Sequence, residues 1–172
     1  MPRLPEVTTP NNESQAAFDY LMKTRGAVRG GFAVTLASPD VTQRMAHLGS
    51  YARFDSPIDK LFREVAATVA SAELENPAEY VVHSRQLLQL GVSESVVKAI
   101  LDRAPVSGAR DDEMIAINLA RELTRNHKLS DASFEAARKR LGDAGVVDLI
   151  ATVGYYAMLA VVHVALDIPA PK

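Results

Sequence analysis

Apolar positions recur at helical spacing along almost the whole chain. Ala17, Phe18, Leu21 and Met22 line one side of a predicted helix over 13–25, and Gly26, Gly30 and Gly31 break it. Val41, Met45, Leu48 and Ala52 do the same over 40–53. Ile58, Leu61, Phe62, Val65 and Val69 form the clearest amphipathic stripe, at i, i+3, i+4, i+7 and i+11. Phe32 to Leu36 is too short and too isolated to pair as a strand, and no other segment alternates with period two.

Helix boundaries follow from capping chemistry. Ser56-Pro57 is expected to open the third helix, with Ser at N-cap and Pro at N1. Asn76-Pro77 opens the fourth in the same way, and Glu79 then falls at the N3 position of a capping box. Gly91 ends that helix, Ser93 caps a fifth that reaches about Ala104, and 105–109 is a loop. Asp111 or Asp112 starts a sixth helix, with Ile115, Leu119 and Leu123 on one face. Ser130 caps a seventh that ends near Gly142, and the last runs from about Ala144 to Leu166 before Pro169 and Pro171. The pattern predicts an all-α domain of about eight helices over 1–172, with a Pro-rich arm at 1–12.

Residues 149–166 contain no Asp, Glu, Lys or Arg, which sits at the lower limit for crossing a bilayer. His163, Gly154 and two tyrosines interrupt the stretch, and no Lys or Arg flanks it before Lys172. A helix buried within the subunit or between subunits is the expectation, not a membrane span. The N-terminal residues lack an apolar segment and a small-residue cleavage site, so a cytoplasmic location is expected.

Charge and cysteine narrow the chemistry. Lys and Arg total 19 against 21 Asp and Glu, a net charge of -2, which argues against nucleic acid as a partner. The chain has no cysteine. That excludes thiolate nucleophiles, disulfide cycling, iron–sulfur clusters and thiolate zinc sites. No Gly-x-Ser-x-Gly or Walker-type glycine loop occurs either.

The informative segment is Glu79-Tyr80-Val81-Val82-His83. Glu79 and His83 lie at i and i+4, stacked on one helix face. A carboxylate beside an imidazole can hold its tautomer and raise its pKa, which suits general acid/base work. His83 sits at the flank of the Tyr80, Leu87 and Leu90 stripe, and Glu64 at the flank of the preceding helix's stripe. Short connections favour antiparallel neighbours, so the two helices can bring Glu64 to His83. Each residue also has a plainer explanation: a cap for Glu79, a packing role for His83, a solvated surface position for Glu64. His47, His127 and His163 have weaker cases, His163 as a core or interface residue, while Tyr51, Tyr155 and Tyr156 could line a pocket. The stronger helical metal patterns, His-x-x-x-His and Glu-x-x-His, are absent, and no metal or cofactor is expected.

The order of several segments resembles the carboxymuconolactone decarboxylase family, which includes the alkylhydroperoxidase D-like proteins. They are Leu48-Gly49-Ser50-Tyr51-Ala52-Arg53-Phe54, Phe62-Arg63-Glu64-Val65-Ala66, Glu79-Tyr80-Val81-Val82-His83 and Leu90-Gly91-Val92-Ser93. Ala120-Arg121-Glu122-Leu123, the run from Leu129 to Phe134 and that from Asp148 to Tyr156 continue it. The resemblance implies an all-α subunit assembling as a homo-oligomer, a trimer or a hexamer. The family's redox branch uses a Cys-x-x-Cys pair assisted by a Glu and a His, which match Glu64 and His83. Asn76 and Glu79 hold the two Cys positions, so the thiol peroxidase cycle is chemically impossible here and the arrangement looks like the decarboxylase branch. That branch removes CO2 from a carboxylated unsaturated lactone without a cofactor. The resemblance makes His83 the proton carrier, oriented by Glu64 or Glu79. Arg53 and Arg85 are candidates to hold a small carboxylic acid substrate, with Tyr51 and Tyr80 beside them. Two other readings stay open: a non-catalytic ligand-binding or assembly protein on this scaffold, and a metal enzyme using Glu64, Glu79 and His83.

Overall fold

The computed structural model describes residues 1–171. Among the described residues it has eight α-helices and no strand. They are α1 (Gln15–Arg25), α2 (Gly31–Thr35), α3 (Pro39–Ser50), α4 (Lys60–Glu73), α5 (Pro77–Gln89), α6 (Glu94–Leu101), α7 (Asp111–Asn126) and α8 (Asp131–Ala165). Tyr51–Asp55 continues α3 as one turn of π-helix, closed by the Ser56 amide donating to the Tyr51 carbonyl at 2.8 Å.

Helix α4 is the centre of the molecule. Eight consecutive apolar or small residues, 65–72, would bury any helix on all sides; here every position from Glu64 to Ala72 is buried, Glu64 among them. Helices α5, α7 and α8 pack around it. Phe62, Val65, Val69, Leu87, Ile100, Ile117, Leu119 and Leu149 fill the main apolar core, while Ala17, Leu21, Leu36 and Ala46 make a smaller one under α1. Full burial of such a side chain is worth roughly 1.5–3 kcal/mol, so α4 is fixed by its neighbours and not by propensity alone.

Several boundaries follow the capping rules. Ser93 and Ser130 each accept the amide three residues on, from Val96 at 3.3 Å and Ser133 at 3.2 Å. Gly91, at φ 77°, closes α5 through Val92 N–H to the Leu87 carbonyl. α8 kinks at Gly142, whose φ 72° and ψ 174° are non-helical, where the sequence places the end of one helix and the start of another.

Three expectations need correction. Residues 31–35 fold into the short helix α2, whose single turn carries too little pattern to read. Ser56 does not open α4: its amide closes the π turn and its hydroxyl donates to Asp148 at 2.9 Å, while Asp59 caps α4 by accepting from Leu61 N–H at 2.7 Å. Glu79 makes no capping box, because the Asn76 N–H it would satisfy already donates to the Ser71 carbonyl at 2.8 Å. That releases the Glu79 carboxylate for another use.

α8 is long and apolar enough to cross a bilayer by length and composition, and half of its most apolar window is buried inside the subunit. Its other side carries Val147, Gly154 and Val161 at seven-residue intervals, all exposed, with Val164 beside them.

Candidate acid/base site

Antiparallel packing of α4 and α5 brings together two side chains 19 residues apart. The His83 Nδ1 lies 2.6 Å from Glu64 Oε2, with both side chains almost fully buried. One turn back on α5, Glu79 Oε2 approaches the other ring nitrogen, Nε2, at 3.4 Å. The three residues singled out for chemistry therefore meet, Glu64 through a direct short bond and Glu79 through a looser contact.

The electrostatics set the charge of the ring. Burial pushes the His83 imidazole down, but the hydrogen bonds and charges of Glu64 and Glu79 outweigh it, and the net direction is up from the ordinary histidine value. The imidazolium is the form this environment favours. Nδ1 is committed to Glu64. Nε2 is buried, with only the long 3.4 Å contact to Glu79 Oε2, which leaves it as the atom with a proton to give.

α8 closes the site. Tyr156 meets the His83 ring edge-on, centroids 4.7 Å apart, and Tyr155 meets Tyr156 at 5.1 Å in the same manner. Burial, followed by the Glu79 charge, raises both phenols above their ordinary value, so they stand as neutral walls and hydrogen-bond donors. Two turns further along, His163 places Nδ1 3.7 Å from Glu79 Oε1 and 3.4 Å from the Asn76 side-chain amide nitrogen. Burial pulls the His163 imidazole below its ordinary value, with Glu79 opposing. His163 and Asn76 are thus members of the site. The signal for Asn76 was its N-cap position, and for His163 only that it is the one imidazole in an apolar helix.

The remaining candidates divide. Tyr80 is half-buried and packs on the core. Arg53 on the π turn is half-buried, makes no ion pair among the described residues, and its charge is felt at the Tyr155 and Tyr156 hydroxyls. Arg63, which sequence reasoning passed over, donates to the Arg53 carbonyl at 2.8 Å and buries an unpartnered Nε beside it. Arg85 points to solvent, two residues past His83 and so on the far side of α5. Tyr51 is exposed and donates to Asp148 at 3.0 Å, which raises its phenol pKa. The structure does not bring Arg85 or Tyr51 to His83.

The outlet is Glu79. Its side chain is 20% exposed, whereas His83 and His163 stand at 1% and 6%. A cleft of about 350 Å³ beside Ala17 and Ser38, and another of about 650 Å³ between α7 and α8, include none of these residues. No group of three or more His, Asp or Glu among the described residues is arranged to hold a metal ion.

Solved structures share this architecture. A protein of unknown function from Agrobacterium tumefaciens, described as a putative antioxidant defence protein AhpD, superposes with TM-score 0.72 at 16% identity, over 84% of this chain and 99% of that one. An uncharacterised peroxidase-related protein from Silicibacter sp. gives 0.71 at 18% identity, over 99% and 92%. The debrominase Bmp8, solved with 2,3,4-tribromopyrrole, gives 0.75 at 14% identity, over 100% and 95%. The chain has the AhpD-like fold. No family profile and no curated protein sequence matches it. At these identities the AhpD-like likeness fixes the architecture and leaves the chemistry to the side chains.

Proposed function

We propose that this protein is an enzyme performing cofactor-free acid/base chemistry on a small unsaturated or lactone carboxylic acid, in the manner of a carboxymuconolactone decarboxylase. The observation that carries the reading is the secluded His83, tied at one nitrogen to Glu64 and free to act at the other. The debrominase neighbour, which holds a small planar ring in its complex, supports a small-molecule enzyme on this scaffold.

The proposed reaction gives each of these side chains a part. The bond between the carboxylate and the ring breaks and CO2 departs. Its electron pair delocalises into the conjugated lactone. His83 Nε2 then gives its proton to carbon, while Glu64 stabilises the imidazolium beforehand and orients the ring. Glu79, the member that reaches solvent, returns a proton to Nε2. Arg53 and Arg63 supply the cationic side against which an anionic substrate aligns. Proton transfer contributes about 10²–10⁴-fold, and orientation and water exclusion between Tyr155, Tyr156 and α5 supply the rest.

The reading includes a cytoplasmic homo-oligomer, a trimer or a hexamer. The exposed apolar stripe of α8 supports an assembly, since an uncharged face of this kind is commonly covered by another chain. The decisive experiment assays CO2 release from a panel of unsaturated and lactone acids with wild type and His83→Gln. Turnover lost in the variant supports the reading. Equal rates in both, or no turnover of any acid by the wild type, would refute it.

A further inference from the structure

The proton chemistry above uses His83 and Glu79, and leaves a second buried imidazole unexplained. His163 comes from a different helix, 80 residues further along the chain, yet stands against the same carboxylate. Glu79 offers one oxygen to each ring: Oε2 to His83 Nε2 at 3.4 Å and Oε1 to His163 Nδ1 at 3.7 Å. Asn76, fully buried, sets its side-chain amide nitrogen 3.4 Å from that same Nδ1 and leaves its own Oδ1 without a partner. The far nitrogen of His163 faces Gly31, where any side chain would collide with it. The ring is therefore held on both edges, which a side chain that merely fills space does not need.

We propose that His163 is a positioning residue for Glu79, and that His83, Glu79 and His163 act as one carboxylate-bridged imidazole pair. It rests on reading His83 as the proton carrier. With its proton on Nδ1, His163 holds one side of a carboxylate that would otherwise swing outward, since Glu79 is the most exposed member of the group. Held inward, Glu79 keeps its other oxygen against Nε2, the atom that must be reloaded after each proton transfer. The two rings are biased in opposite directions, His83 toward the charged form and His163 toward the neutral one. A pair so divided has one member suited to give a proton and one suited to accept it.

The charged and titratable groups around the pair are few. His83 faces Glu64 from α4, Glu79 from its own helix and Tyr156 from α8. His163 faces Glu79 from α5, with the uncharged Asn76 beside it and Gly31 of α2 behind. Tyr155 stands next to Tyr156, and Arg53 acts on these two phenols from the π turn. Only Glu79 touches both rings.

The test is a nitrogen NMR titration of the imidazole rings in the full chain, for wild type, Glu64→Gln, Glu79→Gln, His163→Leu and His163→Gln. Glu79→Gln is expected to lower the midpoints of both His83 and His163, each by about one pH unit, because both lose an opposing charge. Glu64→Gln should lower His83 alone. His163→Leu should lower His83 by freeing Glu79, and His163→Gln, whose amide can still reach that carboxylate, should restore most of the shift. A Glu79→Gln change confined to one ring would overturn the proposal, as would a His83 midpoint unmoved in His163→Leu. If His163→Leu fails to fold, Glu79→Gln and His163→Gln decide the matter. The titration needs no substrate, so its failure is separate from a failure to find the acid that is turned over.

Discussion

Glu64 Oε2 and His83 Nδ1 are 2.6 Å apart, and neither side chain is more than a few per cent exposed. A bond this short between buried groups of opposite charge has two consequences. It fixes the ring, and it makes each partner intolerant of losing the other. His83→Gln and Glu64→Gln are each expected to reduce activity by roughly tenfold or more while the fold persists. Glu64→Ala is different, because it strands an imidazolium in the core. It should lower the unfolding free energy by about 3–5 kcal/mol, read by urea denaturation. Wild-type stability in Glu64→Ala would mean that the pair is not charged.

The same pair sets a pH dependence with a definite sign. The His83 pKa is raised in the folded protein above its unfolded value of about 6.5. Its contribution to stability is fully present below about pH 6.5 and is lost as pH rises through the folded pKa. His163 shifts the opposite way, so its contribution is present above about pH 6.5 and is lost as pH falls through its lowered pKa. With the imidazolium as the proton donor, kcat should fall on the alkaline side, through a limb displaced upward from the ordinary histidine value. In Glu64→Gln that alkaline limb should move to lower pH, since one of the two carboxylates holding the charge is gone.

How far this was legible in the chain can be traced through particular residues. The stripe from Leu61 to Val69 and the caps at Ser93 and Ser130 are local signals, and they hold in the structure. The meeting of Glu64 with His83 followed from helical spacing and a short connection, both local quantities too. Glu79 was ambiguous, since N3 of a capping box and i−4 of a histidine are the same position. Only the tertiary bond from Asn76 N–H to the Ser71 carbonyl resolved it. His163 was beyond reach for a related reason. Its partner lies on another helix, and an apolar sequence around it reads as core whichever way the ring points. α2 was missed because one turn of helix has no period to detect.

Arg53 and Arg85 make a paired test of where an anionic substrate aligns. Arg53 is half-buried without an acidic partner, next to Arg63 and within electrostatic range of Tyr155 and Tyr156. Arg85 faces water from the opposite side of α5. Arg53→Gln should raise KM for a carboxylic acid substrate by roughly tenfold, the scale of losing one charge-assisted hydrogen bond, with a smaller effect on kcat. Arg85→Gln should leave both constants near wild type. Steady-state kinetics on the two variants decides it, and a larger KM effect at Arg85 would put the anion on the other face of the helix.

Gly31 is constrained by the ring it touches. A Cβ at this position would lie 2.1 Å from His163 Nε2, far inside contact distance. Either the start of α2 retreats or His163 leaves its place against Glu79. Gly31→Ala should therefore destabilise the protein by about 1–3 kcal/mol, the usual scale of overpacking, in spite of the better helix propensity of Ala. Thermal or urea unfolding measures it. A neutral or stabilising result would mean that His163 and α2 are not in firm contact.

The outer face of α8 leads to the last prediction. Val147, Gly154 and Val161 repeat every seven residues, so they share one side of the helix, drifting only about 20° per repeat. Val147 and Val161 are 65% and 69% exposed in the single subunit, and no charged side chain interrupts the stretch between Asp148 and Asp167. A second helix can approach closely at Gly154, where nothing else lies within 4 Å of the Cβ position. In solution the wild type should elute well above the 18.6 kDa of one chain in size-exclusion chromatography. Val161→Glu should shift it toward the monomer without unfolding it, because this side chain contributes little to the subunit's own core. Circular dichroism of the same sample separates dissociation from unfolding. A wild type that elutes as a clean monomer at micromolar concentration would remove the assembly and leave the apolar stripe of α8 unexplained.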